Sequence, residues 1–296
     1  MSALAEHDAW RHSRIEYLTS PTGNLALVAF QPVDDEATEI EQLPGVTTWR
    51  SAEDAGVWIN VPAEGPSVCV EGVPVTGDAF VARLRADGTP LITSGPYAID
   101  AFSLDGSDYE LRVYDANSAA LEDFSHLEVY DYDPSGVLTG HLSTYDDNRL
   151  IPWEFTREAD TGHVKNVPGV LSVSIDGVEH NLTAFVDSGQ LVLVFADGTT
   201  KDESYKPGRF LRMTLPGADG VVEMDFNTAF IPPCGFSYFY SCPIPPEGER
   251  DLSADPGGRK GRRLAGSGPL SPDALRWQLK PTQFIESLID RSGVLP

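Results

Sequence analysis

Apolar positions change their period early in this chain. Leu4, Ala5, Trp10, Ile15 and Leu18 recur at helical spacing, with Arg11, Arg14 and Glu16 between them, which predicts an N-terminal amphipathic helix over residues 4–18. Ser20-Pro21-Thr22-Gly23 ends it. Leu25 to Phe30 is a continuous apolar run and predicts a buried strand. From there to about residue 230 the period is two. Short runs rich in Val, Ile, Phe and Tyr alternate with Gly, Pro, Asp and Asn: VWINV (57–61), SVCVEGVPV (67–75), PLITSG (90–95), YELRVYD (109–115), LSVSIDGV (171–178), NLTAFVD (181–187) and QLVLVFADGTT (190–200). Asp176-Gly177 between two alternating runs is a hairpin signal, and Asp197-Gly198 and Asp219-Gly220 repeat it. Strands at this spacing predict a mainly β fold, an antiparallel β-barrel or β-sandwich, with no repeating unit of fixed period.

The pattern stops near residue 246. Residues 247–270 have almost no apolar content and predict a flexible polar linker. Its cluster of Arg259, Lys260, Arg262 and Arg263 reads as solvated. Residues 271–296 predict a helical C-terminal tail in two pieces, with Pro272 at a first helical position and Phe284, Ile285, Leu288 and Ile289 on one later face. The expected organisation is therefore a β domain over 1–246, a linker over 247–270 and a tail over 271–296.

Charge narrows the partners. Acidic residues outnumber basic ones 45 to 21, a formal charge of −24. Such a surface repels phosphate backbones and anionic lipid, so neither a nucleic-acid nor a membrane partner is expected. No run approaches the roughly 20 apolar residues that span a bilayer. The first residues, MSALAEHDAWRHSRIEYL, carry charge throughout with no apolar segment of a secretion signal. Three cysteines in 296 residues do not make a disulfide scaffold. The expectation is a cytoplasmic protein with reduced thiols, no cofactor and, as its possible partner, a small molecule.

The densest chemistry lies between residues 205 and 249. In VVEMDFN (221–227), strand alternation puts Glu223, Asp225 and Asn227 on one face and Val222, Met224 and Phe226 on the other. The nearby run YKPGRFLRM supplies Tyr205 and Arg209, and Arg209 is expected to pair with Asp225. Two readings are open: a polar ligand site built on Arg209, Asp225 and Asn227, or a structural bridge that organises the strand ends. An enzymatic variant makes Asp225 the general base of a hydrolase or isomerase. In IPPCGFSYFYSCPIPP, Cys234 and Cys242 lack the short ligand spacing of zinc, so no metal site is expected. Flanked by prolines and aromatics, both thiols read as buried and inert packing, stiffened by Pro232 and Pro233, in a knot able to wall a pocket. The chain contains no phosphate-binding Gly loop, dinucleotide fingerprint, His-Glu-x-x-His or nucleophile elbow.

Four segments, WRHSRIEYLTSPTGNLAL, YELRVYD, LVFADGTTKDESYKPGRFL and MDFNTAFIPPCGFSYFYSCPIPP, carry a resemblance in their order and wording. Residues 10–246 resemble a bacterial and archaeal family catalogued only as domain-of-unknown-function family 1684. The resemblance implies no activity. It implies recurring polar positions, here Arg112, Asp115, Asp197, Thr199, Tyr205, Arg209, Asp225, Asn227, Cys234 and Cys242, and so adds Arg112 and Tyr205 to the candidate ligand-binding set. Family members continue past the second proline pair with an Asn-Leu segment; here Glu249-Arg250-Asp251-Leu252 stands in its place.

Overall fold

The helical spacing at the start of the chain becomes α1 (Ala3–Leu18), and Ser20 and Gly23 close it through backbone hydrogen bonds to Tyr17 and Ser20. The computed structural model describes residues 2–50, 55–82, 91–103, 108–157, 163–175, 177–200 and 204–249. The expected linker beyond residue 249 and the whole expected tail, 271–296, lie outside the described residues. Residues 247–249 form a single 3-10 turn. No helix among the described residues is long and apolar enough to cross a membrane. The chain divides into two compact units, one over Arg14–Phe124 and one comprising the residues through Ser13 and those from Ser125 onward.

In the unit Arg14–Phe124, the run from Leu25 splits into a buried 3-10 turn (Asn24–Ala26) and strand β1 (Leu27–Val33). Nine further strands follow: β2 (Thr38–Glu39), β3 (Thr47–Arg50), β4 (Gly56–Val61), β5 (Val68–Val70), β6 (Val73–Val75), β7 (Gly77–Ala82), β8 (Ile92–Ser94), β9 (Tyr97–Phe102) and β10 (Tyr109–Asp115). They pair antiparallel in a six-stranded sheet of order β1-β10-β9-β8-β5-β6 and a four-stranded sheet β2-β3-β4-β7. The predicted alternation is what joins them. Leu111, Val113, Ile99 and Ile92 from the first sheet and Val57, Ile59, Val61 and Val81 from the second share one buried cluster. A short helix, α2 (Ala119–Asp123), follows; Ser118 caps it and gives its hydroxyl to the Leu25 carbonyl at 2.8 Å.

The other unit is built on a long strand that the sequence pattern does not announce, β11 (Val137–Pro152). With β12 (Val164–Ile175), β13 (Val178–Leu182) and β17 (Val221–Asp225) it forms an antiparallel sheet of order β13-β12-β11-β17. The hairpin expected at residues 176–177 is present: Ile175 pairs with Val178 and Gly177 has φ +81°. A second sheet, β14-β15-β16, comprises Ala184–Asp187, Gln190–Phe195 and Arg209–Thr214. Strand β15 is buried on both faces. Leu191, Leu193 and Phe195 join Leu142, Leu171, Val222 and Met224 in a core shared by the two sheets. Val192 and Val194 face the opposite way, into a cluster of Trp153, Phe185, Phe210 and Cys242. That doubly buried strand explains why QLVLVF is a continuous apolar run rather than an alternating one. It also explains where the cysteine segment goes, since it covers the outer side of this sheet.

Candidate functional site

Arg209 is the first candidate residue the structure relocates. Its guanidinium is not paired with Asp225. Nη2 donates to Asp197 Oδ2 at 2.7 Å and lies 3.4 Å from Thr199 Oγ1, and the side chain is 1% exposed. The register gives the reason. Arg209 opens β16 opposite Phe195, the last residue of β15, so Asp197 follows at the same end of the hairpin. Asp225 instead ends β17, opposite Val137 in the other sheet. Asp197 is engaged on both oxygens: Oδ1 accepts from Thr199 N (3.0 Å) and Thr199 Oγ1 (2.6 Å), while its own N–H donates to Thr200 Oγ1 (2.9 Å). Thr199 Oγ1 also lies 3.0 Å from Ser204 Oγ. The arginine packs over the Phe195 ring at 5.2 Å. Burial draws its pKa below the ordinary value, against the opposing pull of Asp197.

Gly208 makes this corner possible. It sits at φ +99°, and a Cβ there would come within 2.6 Å of the Phe195 carbonyl oxygen and 2.8 Å of Pro245. Only glycine meets both the backbone conformation and the close approach.

Asp225 and Asn227 form a second polar unit. Burial along β17 alternates as expected, with Val222 and Met224 inside and Glu223 outside. The chain then leaves the strand for a 3-10 turn, Phe226–Thr228, so Asn227 does not continue the polar face. It is 1% exposed. Its Oδ1 accepts from Asp133 N (2.8 Å), and its Nδ2 donates to Asp133 O (3.0 Å) and Asp225 Oδ1 (2.7 Å). Asp225 Oδ1 also accepts from the Asn227 N–H (3.0 Å), an N-cap of the turn. The arrangement ties β17 to the segment that enters β11.

The remaining candidates, Tyr205 and Arg112, make other contacts. Tyr205 is buried, and its hydroxyl donates to the Cys234 carbonyl at 3.0 Å and stands 3.6 Å from Cys234 Sγ; burial raises its pKa, with the neighbouring Cys234 second. Arg112 belongs to the unit Arg14–Phe124, where Nε meets Glu110 at 2.7 Å and the guanidinium packs 3.5 Å over Phe102.

The proline-rich segment follows β16 closely. Phe230 bridges Phe210, exchanging backbone hydrogen bonds at 2.9 Å each way. Pro232 and Pro233 lead into a 3-10 turn, Pro233–Gly235. Gly235 leaves room for Ile231, whose Cγ2 a Cβ would meet at 2.4 Å. Phe236 is buried and Tyr240 packs on the outer cluster, whereas Tyr238 is exposed. From Cys242 the chain runs beside residues 153–156: Thr156 N donates to Cys242 O (2.9 Å), Ile244 N to Glu154 O (2.9 Å) and Trp153 Nε1 to Ile244 O (2.9 Å). Pro243, Pro245 and Pro246 have no N–H to give, so this pairing stays an irregular bridge rather than a strand.

Between these two segments lies a groove of about 440 Å³, lined by Ile151, Pro152, Trp153, Glu154, Thr183, Ile244, Pro245, Pro246 and Glu247. The expectation that the proline knot walls a pocket thus has a concrete counterpart, but its other wall is Ile151–Glu154 and not the end of β17. Beneath it, the Thr183 N–H donates to Glu249 Oε1 at 2.7 Å. Glu249 is 2% exposed, and burial raises its pKa; among the described residues its Oε2 has no hydrogen-bond partner. Sequence reasoning missed Trp153, Thr183 and Glu249. A tryptophan directly after a proline at a strand end was an available signal, whereas Glu249 sits inside a charged run that reads as linker.

Cys234 is half-buried and Cys242 buried, and burial is not the leading influence on the Cys234 thiol. Hydrogen bonding from Cys242, and then from Tyr205 and Thr156, outweighs burial and lowers its pKa. Among the described residues no three His, Cys, Asp or Glu side chains are grouped to hold a metal ion.

With this geometry in place, comparison with known proteins gives a consistent but sparse picture. Residues 122–253 match the family described as "Protein of unknown function (DUF1684)", so the resemblance is shown over that stretch. The match contains the two segments around Arg209 and the cysteines and begins after YELRVYD. No curated protein matches the chain. A solution NMR structure of an uncharacterized protein from Haloarcula marismortui is 27% identical over 51% of this chain and 80% of its own, with a TM-score of 0.40.

Proposed function

We propose that the unit from Ser125 onward is a small-molecule-binding module and that its ligand site is the groove between Ile151–Glu154 and Ile244–Glu247. The carrying observation is the composition of that groove. Its floor and walls are Trp153, Ile151, Ile244 and three prolines; its charged lining residues are Glu154 and Glu247, and no Lys or Arg is among them. An apolar body is favoured by the walls and a positive charge by the two carboxylates. The ligand class that fits both is an amine on a flat apolar group. Three prolines and the Trp153–Ile244 hydrogen bond hold the walls in place, so little ordering is required on binding. The Arg209 and Asp225 centres then act as scaffold, and Tyr205 secures the cysteine segment to it.

Calorimetric titration of the full chain with phenylethylamine and, separately, phenylpropionate tests this. The amine is expected to bind and the carboxylate to fail, with binding lost in a Glu154→Gln/Glu247→Gln variant. Equal binding of the two probes, or amine binding that survives the double substitution, contradicts the proposal.

A further inference from the structure

Cys234 and Cys242 are eight positions apart in sequence, and the structure brings them together: the Cys234 N–H donates to Cys242 Sγ at 3.3 Å. The two thiols differ in their surroundings. Cys234 is half-buried, while Cys242 is 4% exposed in the outer cluster of the three-stranded sheet. The Tyr205 hydroxyl stands 3.6 Å from Cys234 Sγ, and the Cys242 N–H is held by Thr156 Oγ1 at 3.1 Å. Lys165 Nζ packs 4.7 Å from the Phe185 ring, and Phe185 belongs to the same cluster as Cys242. Prolines at 232, 233 and 243 flank both cysteines and fix φ on either side.

We propose that Cys234 and Cys242 are a redox-active thiol pair that reduces a low-molecular-weight disulfide, with Cys234 as the attacking thiol and Cys242 as the resolving one. The Cys234 thiolate attacks one sulfur of the small disulfide. The S–S bond of that molecule breaks, a mixed disulfide forms on Cys234, and the released thiolate takes up a proton. Cys242 then loses its proton and attacks the Cys234 sulfur, which closes the protein disulfide and releases the second small thiol. Two protein thiols are oxidised and one small disulfide is reduced to two thiols. The half-buried member of the pair is the one a small disulfide can reach, and the buried member can react only with its neighbour. The lowered thiol pKa at Cys234 favours thiolate chemistry there, and the charge of Lys165, which interacts with Cys242, favours loss of the Cys242 proton in the second step. The stiff flanks reduce the entropy lost when the short loop closes. This assignment is independent of the groove.

The test places the full chain in anaerobic glutathione buffers of graded disulfide-to-thiol ratio, followed by alkylation and peptide mass measurement. The peptide carrying both cysteines is expected to lose the mass of two hydrogens in a single reversible step, while Cys69 stays open to alkylation. Cys242→Ser is expected to accumulate glutathione on Cys234. The proposal is overturned if both thiols of the unmodified chain remain alkylatable at the most oxidising ratio. It is equally overturned if glutathione adducts accumulate there without ring closure, or if Cys234→Ser is glutathionylated at Cys242 as readily as Cys242→Ser is at Cys234. The measurement on the unmodified chain needs no substitution, so it holds even where a variant fails to fold.

Discussion

The Arg209 corner and the proline groove lie in the same unit and use opposite materials. Around Arg209, Asp197, Thr199 and Ser204 the polar side chains are buried and turned toward one another. Along the groove the walls are apolar, and the hydrogen bonds that hold them are accepted by backbone carbonyls, as at Ile244. The corner is rich in groups that do chemistry in other settings, yet those groups are occupied. The groove is poor in them and open. In this fold, a concentration of charged residues marks where two strand ends are locked, and the open volume appears where prolines prevent a strand from pairing.

Substitutions can break that contrast, and the largest effect is expected at the buried ion pair. Removing one partner of a buried pair leaves an uncompensated charge, so Asp197→Ala is expected to cost about 3–5 kcal/mol in chemical denaturation. Replacing both partners by apolar residues, Asp197→Leu with Arg209→Met, should recover most of the loss. A single substitution without effect would show that the corner is not a structural lock.

A smaller loss, about 1–3 kcal/mol, is expected for Gly208→Ala, because alanine must adopt φ +99° and press on the Phe195 carbonyl. An unchanged denaturation midpoint would refute the tight approach of β16 to the proline segment.

A third test sharpens the contrast from outside this unit. Burial raises the Asp100 carboxyl, in β9, from 3.8 to about 6, partly offset by Arg112. The folded state therefore holds the proton more tightly than the unfolded chain. The stabilisation is full below pH 3.8 and is lost as pH rises through about 6. Asp100→Asn should flatten that part of the pH–stability curve and raise stability near neutrality by about 1–3 kcal/mol. A variant whose curve still falls across that interval would contradict the assignment.

The smallest effect on stability is expected at the groove. Glu247 is exposed, so Glu247→Gln should leave the denaturation midpoint within about 0.5 kcal/mol while weakening amine binding in calorimetry. A destabilised Glu247→Gln would place that residue with the scaffold.

Much of this architecture was legible in the sequence, for physical reasons that differ by element. Alternating runs such as YELRVYD and LSVSIDGV became β10 and β12, because one buried face fixes both period and register. Strand β11 was not legible. Its run through Gly140, Ser143, Thr144, Asp146 and Asp147 is polar, and an irregularity between Thr144 and Arg149 breaks the period. Arg209 was visible in the sequence and Asp197 and Thr199 through the resemblance, but their pairing depends on which strand end faces which, a property of sheet register that local sequence does not carry. Asn227 was placed on the wrong face because a 3-10 turn replaces the strand after Asp225. The groove was the least legible feature: Ile151–Glu154, Thr183 and Ile244–Glu247 are distant in sequence and carry few ionisable groups.

The division between an occupied polar corner and an open apolar groove is tested most directly by mapping where a ligand lands. In a heteronuclear NMR titration of the full chain with phenylethylamine, the shifted resonances should be those of Trp153 (its indole N–H included), Thr183, Ile244 and Glu247, with Arg209, Asp225 and Asn227 unmoved. Shifts centred on Asp225 and Asn227, with Trp153 silent, would contradict the account.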